Sequence, residues 1–260
     1  MVRITERDED RSRIIQYDNP PRGYMTGEGA TALADAVRRA ASDDSVGVII
    51  LTGTGEVFVR HYDVAEIVAA GEALEAGAIT TENFQAGPFV DLLDAVTDAP
   101  KPVIAAINGT CMGGGFELAL ACDIRVASES VAEIGLPETR IGIFPGGGGT
   151  QRLPRLIGEA AALDFILRGT VVDAEDAWAL GLVHEFGGDA LADALEIAAE
   201  MAARGAEGLA AAKRLVRGAA DRPLAEGLAM ERAGFADVLR SQSAMTAMRD
   251  FLDGDGDITA

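Results

Sequence analysis

The sequence predicts an α/β fold with a wholly helical C-terminal part, and three observations support this prediction. Residues 46–52 and 103–107 are short apolar runs rich in β-branched side chains, which is typical of strands buried on both faces. Before the first run, Thr26 can cap a helix with one apolar face. In the last quarter of the chain the pattern is helical only. We therefore expect a core over residues 1–188 and a helical module over residues 189–260.

The first part of the chain contains further short elements. Residues 12–17 have a strand pattern that Pro20 ends, because proline fixes φ and restricts the residue before it. Val57–Val59 is predicted as another short strand. Asp63 and Glu66 then resemble a capping box, which predicts a helix from there to about Ala70.

The middle of the chain is less regular. Residues 71–81 show no clear period, and we expect them to be mobile when no ligand is bound. Residues 84–96 have helical spacing despite Pro88, and their aromatic side chains fit either plain core or the wall of a pocket. The elements predicted beyond the centre are helices over 159–167 and 173–180, a strand over 182–184, and helices over 190–203, 206–219, 224–240 and 244–252. The last four helices are rich in alanine, and their narrow apolar stripes need another surface to pack against.

The charge balance and the cysteines restrict the classes of function. With 22 Lys and Arg against 42 Asp and Glu, the formal net charge is −20, so we expect no nucleic-acid surface. The sequence has no apolar run of about 18 residues and no charged-then-apolar leader, so we expect a cytoplasmic protein without a membrane span. Cys111 and Cys122 have no histidine cluster beside them, which favours buried thiols over a metal site.

A glycine-rich stretch carries the clearest chemical pattern. Three glycines, Gly113 to Gly115, precede the helical pattern FELALA, so backbone N–H groups can approach a ligand there. The helix dipole would stabilise an oxygen that becomes anionic beside the N–H of Gly114. Glu117 follows in the first turn. By itself, a glutamate at that position is also explained as a partner of the helix dipole.

A second glutamate, Glu138, follows Pro137 and precedes a run of four glycines, Gly146 to Gly149. This run lacks the pattern of a dinucleotide fingerprint and the Gly-Lys-Ser/Thr ending of a P-loop. Thr150, or a glycine just before it, is expected to cap the next helix.

Two motifs make the chain similar to the crotonase family of enoyl-CoA hydratases and isomerases: KPVIAAINGTCMGGGFELALACDIRVAS and GLPETRIGIFPGGGGTQRLPRLIG. A weaker likeness extends from Ile14 to Phe251. The resemblance implies a crotonase-like spiral of strand-strand-helix (ββα) units over the core. It also implies that the C-terminal helices form an oligomerisation module, building a homotrimer or a hexamer made of two trimers.

The same resemblance implies the residues of the active site. Glu117 and Glu138 fall where hydratases carry their two catalytic glutamates, and Gly114 donates one N–H to the thioester carbonyl. The second donor of this oxyanion hole is the backbone N–H of Tyr62. The resemblance also implies that no metal or redox cofactor is required and that a coenzyme A thioester is the substrate. The residues expected to bind that substrate are Arg22, Arg60, His61, Tyr62, Val64, Gly113, Gly114, Pro137 and Gly146.

The sequence departs from the family before Asp63. Arg60, His61 and Tyr62 stand where the family usually has Ala-Gly-Ala. Three explanations compete for His61 and Tyr62: surface bulk, side chains that reshape the ligand channel, and extra acid-base groups. The third is the least favoured, because the sequence shows no nucleophile with a matching partner. Arg22 is either a phosphate contact or a solvated loop residue.

The function that this pattern favours is an enoyl-CoA hydratase. An isomerase, hydrolase or dehalogenase of the same family, or an acyl-CoA-binding protein without catalysis, remain alternatives.

Overall fold

The computed structural model describes residues 1–254, so the last six residues of the predicted helical module lie outside the described part. The strands are β1 Arg3–Glu9, β2 Ser12–Asp18, β3 Val48–Thr52, β4 Val57–Val59, β5 Val103–Ile107, β6 Thr110–Met112, β7 Ile124–Ser128, β8 Ile134–Gly135, β9 Val171–Val172 and β10 Glu185–Gly187. The α-helices are α1 Gly27–Ser42, α2 Val64–Glu75, α3 Thr81–Gln85, α4 Pro88–Asp98, α5 Gly114–Ala121, α6 Gly149–Ile157, α7 Glu159–Leu167, α8 Ala174–Ala179, α9 Ala190–Ala202, α10 Ala206–Arg217, α11 Leu224–Val238 and α12 Gln242–Asp253. Short 3-10 helices cover Glu138–Ile141 and Ala219–Asp221.

Two sheets form the scaffold. The larger has the strand order β1-β2-β3-β5-β7-β10, and the smaller has the order β4-β6-β8-β9. Strands β3, β5 and β7 of the larger sheet are each followed by a strand of the smaller sheet and then by a helix, which is 3-10 in the third unit. This order confirms the predicted α/β spiral of strand-strand-helix units.

Strands β3 and β5 are buried along their whole length because both faces of the larger sheet are covered. One face packs against the main hydrophobic core, which includes α1, α4 and α5. Helix α9 covers the other face through Ala190, Ala194 and Ala198, which contact Ile50 and Ile104 within one cluster. Alanine lets the helix approach the sheet closely. Helix α9 thus packs on the sheet although we predicted it as part of the helical module, and the division at residue 188 stays a prediction.

Charged groups attach α10 to the core. Asp123 accepts hydrogen bonds from the backbone N–H of Val103 (2.8 Å) and from Arg217 Nη2 (2.7 Å), and it pairs with Lys213 Nζ at 2.8 Å. Arg217 also donates to the carbonyl of Ala121, the last residue of α5. A cation at the C-terminal end of a helix stabilises the helix dipole. The helical module therefore contacts the distal end of α5.

Most predicted elements are confirmed. Strands 57–59 and 103–107 and helix 159–167 have the predicted bounds, and the four C-terminal helices differ from the predicted ends by at most two residues. Thr26 caps α1, since its hydroxyl accepts the N–H of Gly29 at 3.1 Å. Gly148 is the N-cap residue of α6. This confirms the second of the two predicted caps, a glycine just before Thr150.

The strand predicted over 182–184 is wrong, since strand pairing with β7 begins only at Glu185. The backbone groups of Leu182 have other partners: its N–H donates to the carbonyl of Ala177, and its carbonyl accepts from Arg125 Nε. Leu182 and Val183 follow a helix, and an apolar dipeptide there has the same composition as a short strand. The sequence pattern therefore did not distinguish a buried turn from a strand.

Two predictions between residues 63 and 96 are also wrong in part. Helix α2 continues through Gly71 to Glu75, because one glycine costs a helix only about 1 kcal/mol. The pattern over 84–96 contains two helices, because Pro88 is the first residue of α4 and cannot continue α3. The expected mobility of residues 71–81 stays a prediction.

Within residues 1–254, no helix is both long enough and apolar enough to cross a lipid bilayer.

Candidate active site

The close approach of β4 to the beginning of α5 shapes the site. Gly113 has φ +51° and ψ −127°, which an L side chain rarely adopts. A Cβ atom on Gly115 would lie 1.9 Å from the carbonyl oxygen of Val59, the last residue of β4. The glycines that the sequence analysis identified are therefore required for packing. They let the segment after β4 lie against the N-terminus of α5.

Two backbone N–H groups meet at this contact. A Cβ atom on Gly114 would lie 3.2 Å from the nitrogen of Tyr62, so the two residues are adjacent. Met25 holds the segment on both sides of Tyr62: its N–H donates to the carbonyl of His61 (2.8 Å), and its carbonyl accepts the N–H of Asp63 (2.7 Å). Within residues 1–254, neither the N–H of Tyr62 nor that of Gly114 has an acceptor. The pair suits an oxygen that develops negative charge.

Glu117 is buried beside these donors, with 3% of its surface exposed. Its Oε1 atom accepts the N–H groups of Gly147 (2.7 Å) and Gly149 (2.8 Å). A Cβ atom on Gly147 would lie 2.5 Å from the Phe89 ring, so the loop needs glycine to reach the carboxylate. Burial raises the pKa of Glu117, while the two N–H groups and the charge of Arg152 oppose that rise. Arg152 also donates to the carbonyl of Gly147 at 2.9 Å, which steadies the loop.

Glu138 has a different environment. It begins the 3-10 helix directly after Pro137, and a Cβ atom on Gly113 would lie 3.0 Å from its Oε1 atom. Its Oε2 atom is buried and has no hydrogen-bond partner among the described residues. Burial is the main reason that the pKa of Glu138 rises to about 7, and the charge of Glu117 adds to the rise. The structure thus brings both predicted glutamates close together. Hydrogen bonds fix one oxygen of Glu117, whereas the buried oxygen of Glu138 has no partner among the described residues.

An aromatic and basic cluster, Arg22, Tyr24, Arg60 and His61, lies beside the donors. The Tyr24 and His61 rings stack with their centroids 4.3 Å apart, and the Arg22 guanidinium lies 5.9 Å from the Tyr24 ring centroid. Arg60 Nε donates to the carbonyl of Arg22 at 3.2 Å. Sequence analysis missed Tyr24, because a loop residue shows no periodic pattern that reveals its partner 37 positions away.

The side chain of Tyr62 points toward helices α2 and α4. Its ring contacts Phe89 edge-on with the centroids 5.3 Å apart, and its hydroxyl donates to Glu66 Oε2 at 2.9 Å. Phe89 also lies beside Gly114 and Gly147, which places it next to both the donor pair and Glu117. Of the two interpretations of the aromatics in this segment, the position of Phe89 favours the wall of a pocket.

The other predicted binding residues lie at the edges of this arrangement. Val64 is the first residue of α2 and is exposed, and Gly146 is exposed one position before Gly147. Their roles in substrate binding stay predictions. The capping box is half confirmed, since Asp63 accepts the N–H of Ala65 but Glu66 bonds elsewhere. No pattern in the sequence identified Gly147 and Gly149 as the partners of Glu117, which lies about 30 positions earlier.

The described residues contain no cluster of His, Cys, Asp and Glu side chains able to hold a metal ion. Both cysteines are buried and unpaired with each other.

Comparison with known proteins identifies the family. Residues 13–254 match the family model described as enoyl-CoA hydratase/isomerase. A putative enoyl-CoA hydratase/isomerase, YngF of Bacillus subtilis, is 40% identical over 253 residues, which cover 96% of this chain and 94% of that protein. The mitochondrial methylglutaconyl-CoA hydratase of Rattus norvegicus is 38% identical over 229 residues, covering 84% of this chain and 69% of that protein.

Solved structures agree with the fold described above. An enoyl-CoA hydratase from Polaromonas sp. JS666 superimposes with a TM-score of 0.87 at 30% identity, with 96% of each chain covered. An enoyl-CoA hydratase subunit from Geobacillus kaustophilus gives a TM-score of 0.85 at 33% identity, covering 96% of this chain and 95% of that one. The fold is therefore the crotonase fold, and the chain belongs to the enoyl-CoA hydratase/isomerase family.

Proposed function

We propose that the protein is an enoyl-CoA hydratase, which adds water across the 2,3-double bond of an enoyl-CoA thioester. One observation carries the proposal: the buried carboxylate of Glu117 and the half-buried carboxylate of Glu138 lie beside two adjacent backbone N–H groups that have no acceptor among residues 1–254. Hydration needs both parts, since a polarised thioester carbonyl makes C3 electrophilic and two proton transfers complete the addition.

The donor pair stabilises the charge that develops on the substrate. The thioester oxygen would accept from Tyr62 and Gly114 as electron density moves onto it. One such donor typically contributes about 3 kcal/mol to the transition state. The N-terminus of α5 adds positive potential at the same point. The change from the usual small residues to His61 and Tyr62 is compatible with this role, because both donors belong to the backbone.

The different environments of the two glutamates assign their roles. Glu117 has one oxygen fixed by two N–H groups, so its Oε2 atom is the oriented acceptor for the proton of the attacking water. Glu138 has a free carboxyl oxygen and a pKa of about 7, so about half of the molecules carry a proton there near neutral pH, and that form donates it to C2. The water oxygen bonds to C3. The pair holds one proton before the reaction and one after it.

The alternatives need fewer of these features. A double-bond isomerase can work with one carboxylate that moves a proton between two carbons, which would leave Glu117 without a chemical role. A binding protein without catalysis would use neither glutamate. The two N–H groups that fix Glu117 favour the hydratase, because they orient a group that the other functions do not require.

The aromatic and basic cluster provides the positive charge for the coenzyme A phosphates. The chain has a net charge of −20, so an anionic ligand meets an unfavourable overall field and needs local cations. Arg22 is exposed at the outer end of the cluster, and Arg60 is linked to it through the Arg22 carbonyl. We propose that these two arginines contact phosphate, while His61 lines the channel. The cytoplasmic location inferred from the sequence stays a prediction.

The apolar surface supports a homo-oligomer. Large apolar side chains are exposed on the segment from the first 3-10 helix to α7 and on the C-terminal helices. Monomeric soluble proteins rarely expose so much apolar surface. The exposed side chains include Ile141, Phe144, Leu163, Leu167, Leu224, Phe235 and Leu252. We propose that these surfaces meet in a trimer, alone or doubled into a hexamer.

Replacing either glutamate by glutamine tests the chemical proposal. The wild-type protein should remove the enoyl absorbance of crotonyl-CoA, and Glu117→Gln and Glu138→Gln should each lower kcat by more than about 100-fold, the usual size of general acid-base catalysis. The amide oxygen keeps the acceptor for Gly147 and Gly149, so thioester binding should persist in Glu117→Gln. A variant with the wild-type rate would remove that residue from the mechanism.

The raised pKa of Glu138 predicts that replacing this residue stabilises the protein at high pH. Its carboxyl titrates near the ordinary 4.5 in the unfolded chain and at about 7 in the fold, so the folded state loses stability as the pH rises between these values. Glu138→Gln removes that cost and should raise the free energy of unfolding by about 3 kcal/mol at pH 8 and by close to nothing at pH 4.5. Urea unfolding at the two pH values measures it.

Glu196→Gln on exposed α9 surface is the control for that experiment and should change the stability little at either pH. An equal effect of Glu138→Gln at both pH values would show that burial does not raise this pKa.

Light scattering on the intact chain tests the oligomer. We expect the mass of three or six chains, because the exposed apolar side chains must be covered. An active monomer would contradict the proposal.

A further inference from the structure

Glu66 has partners that its sequence motif does not predict. In a capping box its side chain would return to the backbone N–H of Asp63, but that N–H donates to the carbonyl of Met25. Glu66 Oε2 instead accepts from the hydroxyl of Tyr62 (2.9 Å) and from the backbone N–H of Gly27 (2.8 Å). The carboxylate thus ties α2 to the first residue of α1, with Tyr62 between them.

These contacts fix Tyr62 from several directions. Glu66 holds the hydroxyl, the Phe89 ring lies against the Tyr62 ring, and Met25 bonds to the residues on both sides of the Tyr62 backbone. Burial and then Glu66 raise the pKa of Tyr62, so the phenol keeps its proton and remains a donor. A side chain fixed at its far end limits rotation of its own backbone.

Helix α1 does not need Glu66 as its cap. Thr26 already accepts the N–H of Gly29, so the helix has a side-chain cap without it. The bond from Gly27 instead supplies Glu66 with a fixed anchor, and the Tyr62 hydroxyl reaches the same carboxylate oxygen.

We propose that Glu66 is a positioning residue: by holding the Tyr62 side chain, it keeps the Tyr62 N–H aimed at the substrate carbonyl and keeps the ring in place as a wall of the acyl channel. The inference rests on the proposed function, since it gives the Tyr62 N–H its role as a donor. Glu66 itself touches no reacting atom. Its effect should therefore be on carbonyl polarisation.

Substitutions at Glu66 in the full-length chain test this role. Glu66→Ala removes the acceptor and should lower kcat about fivefold, with KM changed less than twofold. Glu66→Gln should recover at least half of the wild-type kcat, because one amide oxygen accepts both hydrogen bonds. Glu75→Ala, an exposed glutamate at the end of the same helix, is the matched control and should match the wild type.

Tyr62→Phe separates positioning from a merely structural link between α1 and α2. It removes the hydroxyl but keeps the Glu66 bond to Gly27. Tyr62→Phe should lower kcat as much as Glu66→Ala does, and the double variant should lower it no further. Losses that multiply in the double variant would overturn the proposal, because the two residues would then act independently.

The absorbance of a bound dienoyl-CoA thioester gives a direct readout. Stronger hydrogen bonds to its carbonyl move the absorption to longer wavelength, so the shift should be smaller in Glu66→Ala than in the wild type, Glu66→Gln or Glu75→Ala. An active wild type whose shift and kcat both survive Glu66→Ala would overturn the positioning role alone. A wild type that neither converts enoyl-CoA nor shifts the dienoyl absorbance would overturn the proposed function and this inference together.

Discussion

The contact between the end of β4 and the beginning of α5 is the constraint on which the site depends. Gly115 has no room for a Cβ atom against Val59, and Gly113 adopts a backbone conformation that only glycine takes readily. This contact places the N–H of Gly114 beside that of Tyr62 at the positive end of a helix. Strand β6, which packs against α5, and the charged groups at the other end of α5 hold that helix in place. The proposed activity therefore depends on a packing arrangement made by backbone atoms.

The two glutamates differ in how their carboxyl groups are stabilised away from water. A carboxylate removed from water costs free energy unless hydrogen bonds replace its hydration. Glu117 receives such bonds from two glycine N–H groups, whereas the inner oxygen of Glu138 receives none among the described residues. The uncompensated burial of Glu138 disfavours its charged form, so its carboxyl group can hold a proton near neutral pH. The loss of stability at Glu138 leaves an acid at the place where the proposed hydration needs one.

Local patterns in the sequence predicted the scaffold, whereas the family resemblance implied the roles of the two glutamates, which stay predictions. Buried strands, helix caps and glycine runs can be recognised from a few consecutive residues. The bounds of β5 and α7 were predicted correctly for this reason. Sequence reasoning did not find that Gly147 and Gly149 hold Glu117, or that Tyr24 stacks on His61, since these contacts join distant loops. Glu66 shows a third case. A local motif was present, but a tertiary partner at Tyr62 took the side chain away from its local one.

Water is proposed to add to a thioester that two backbone N–H donors polarise. The most direct test is to convert crotonyl-CoA in water that carries a heavy oxygen isotope and to weigh the product by mass spectrometry. The account predicts a 3-hydroxyacyl-CoA with one heavy oxygen at C3. A product with a shifted double bond and no heavy oxygen, or unchanged substrate, would contradict it.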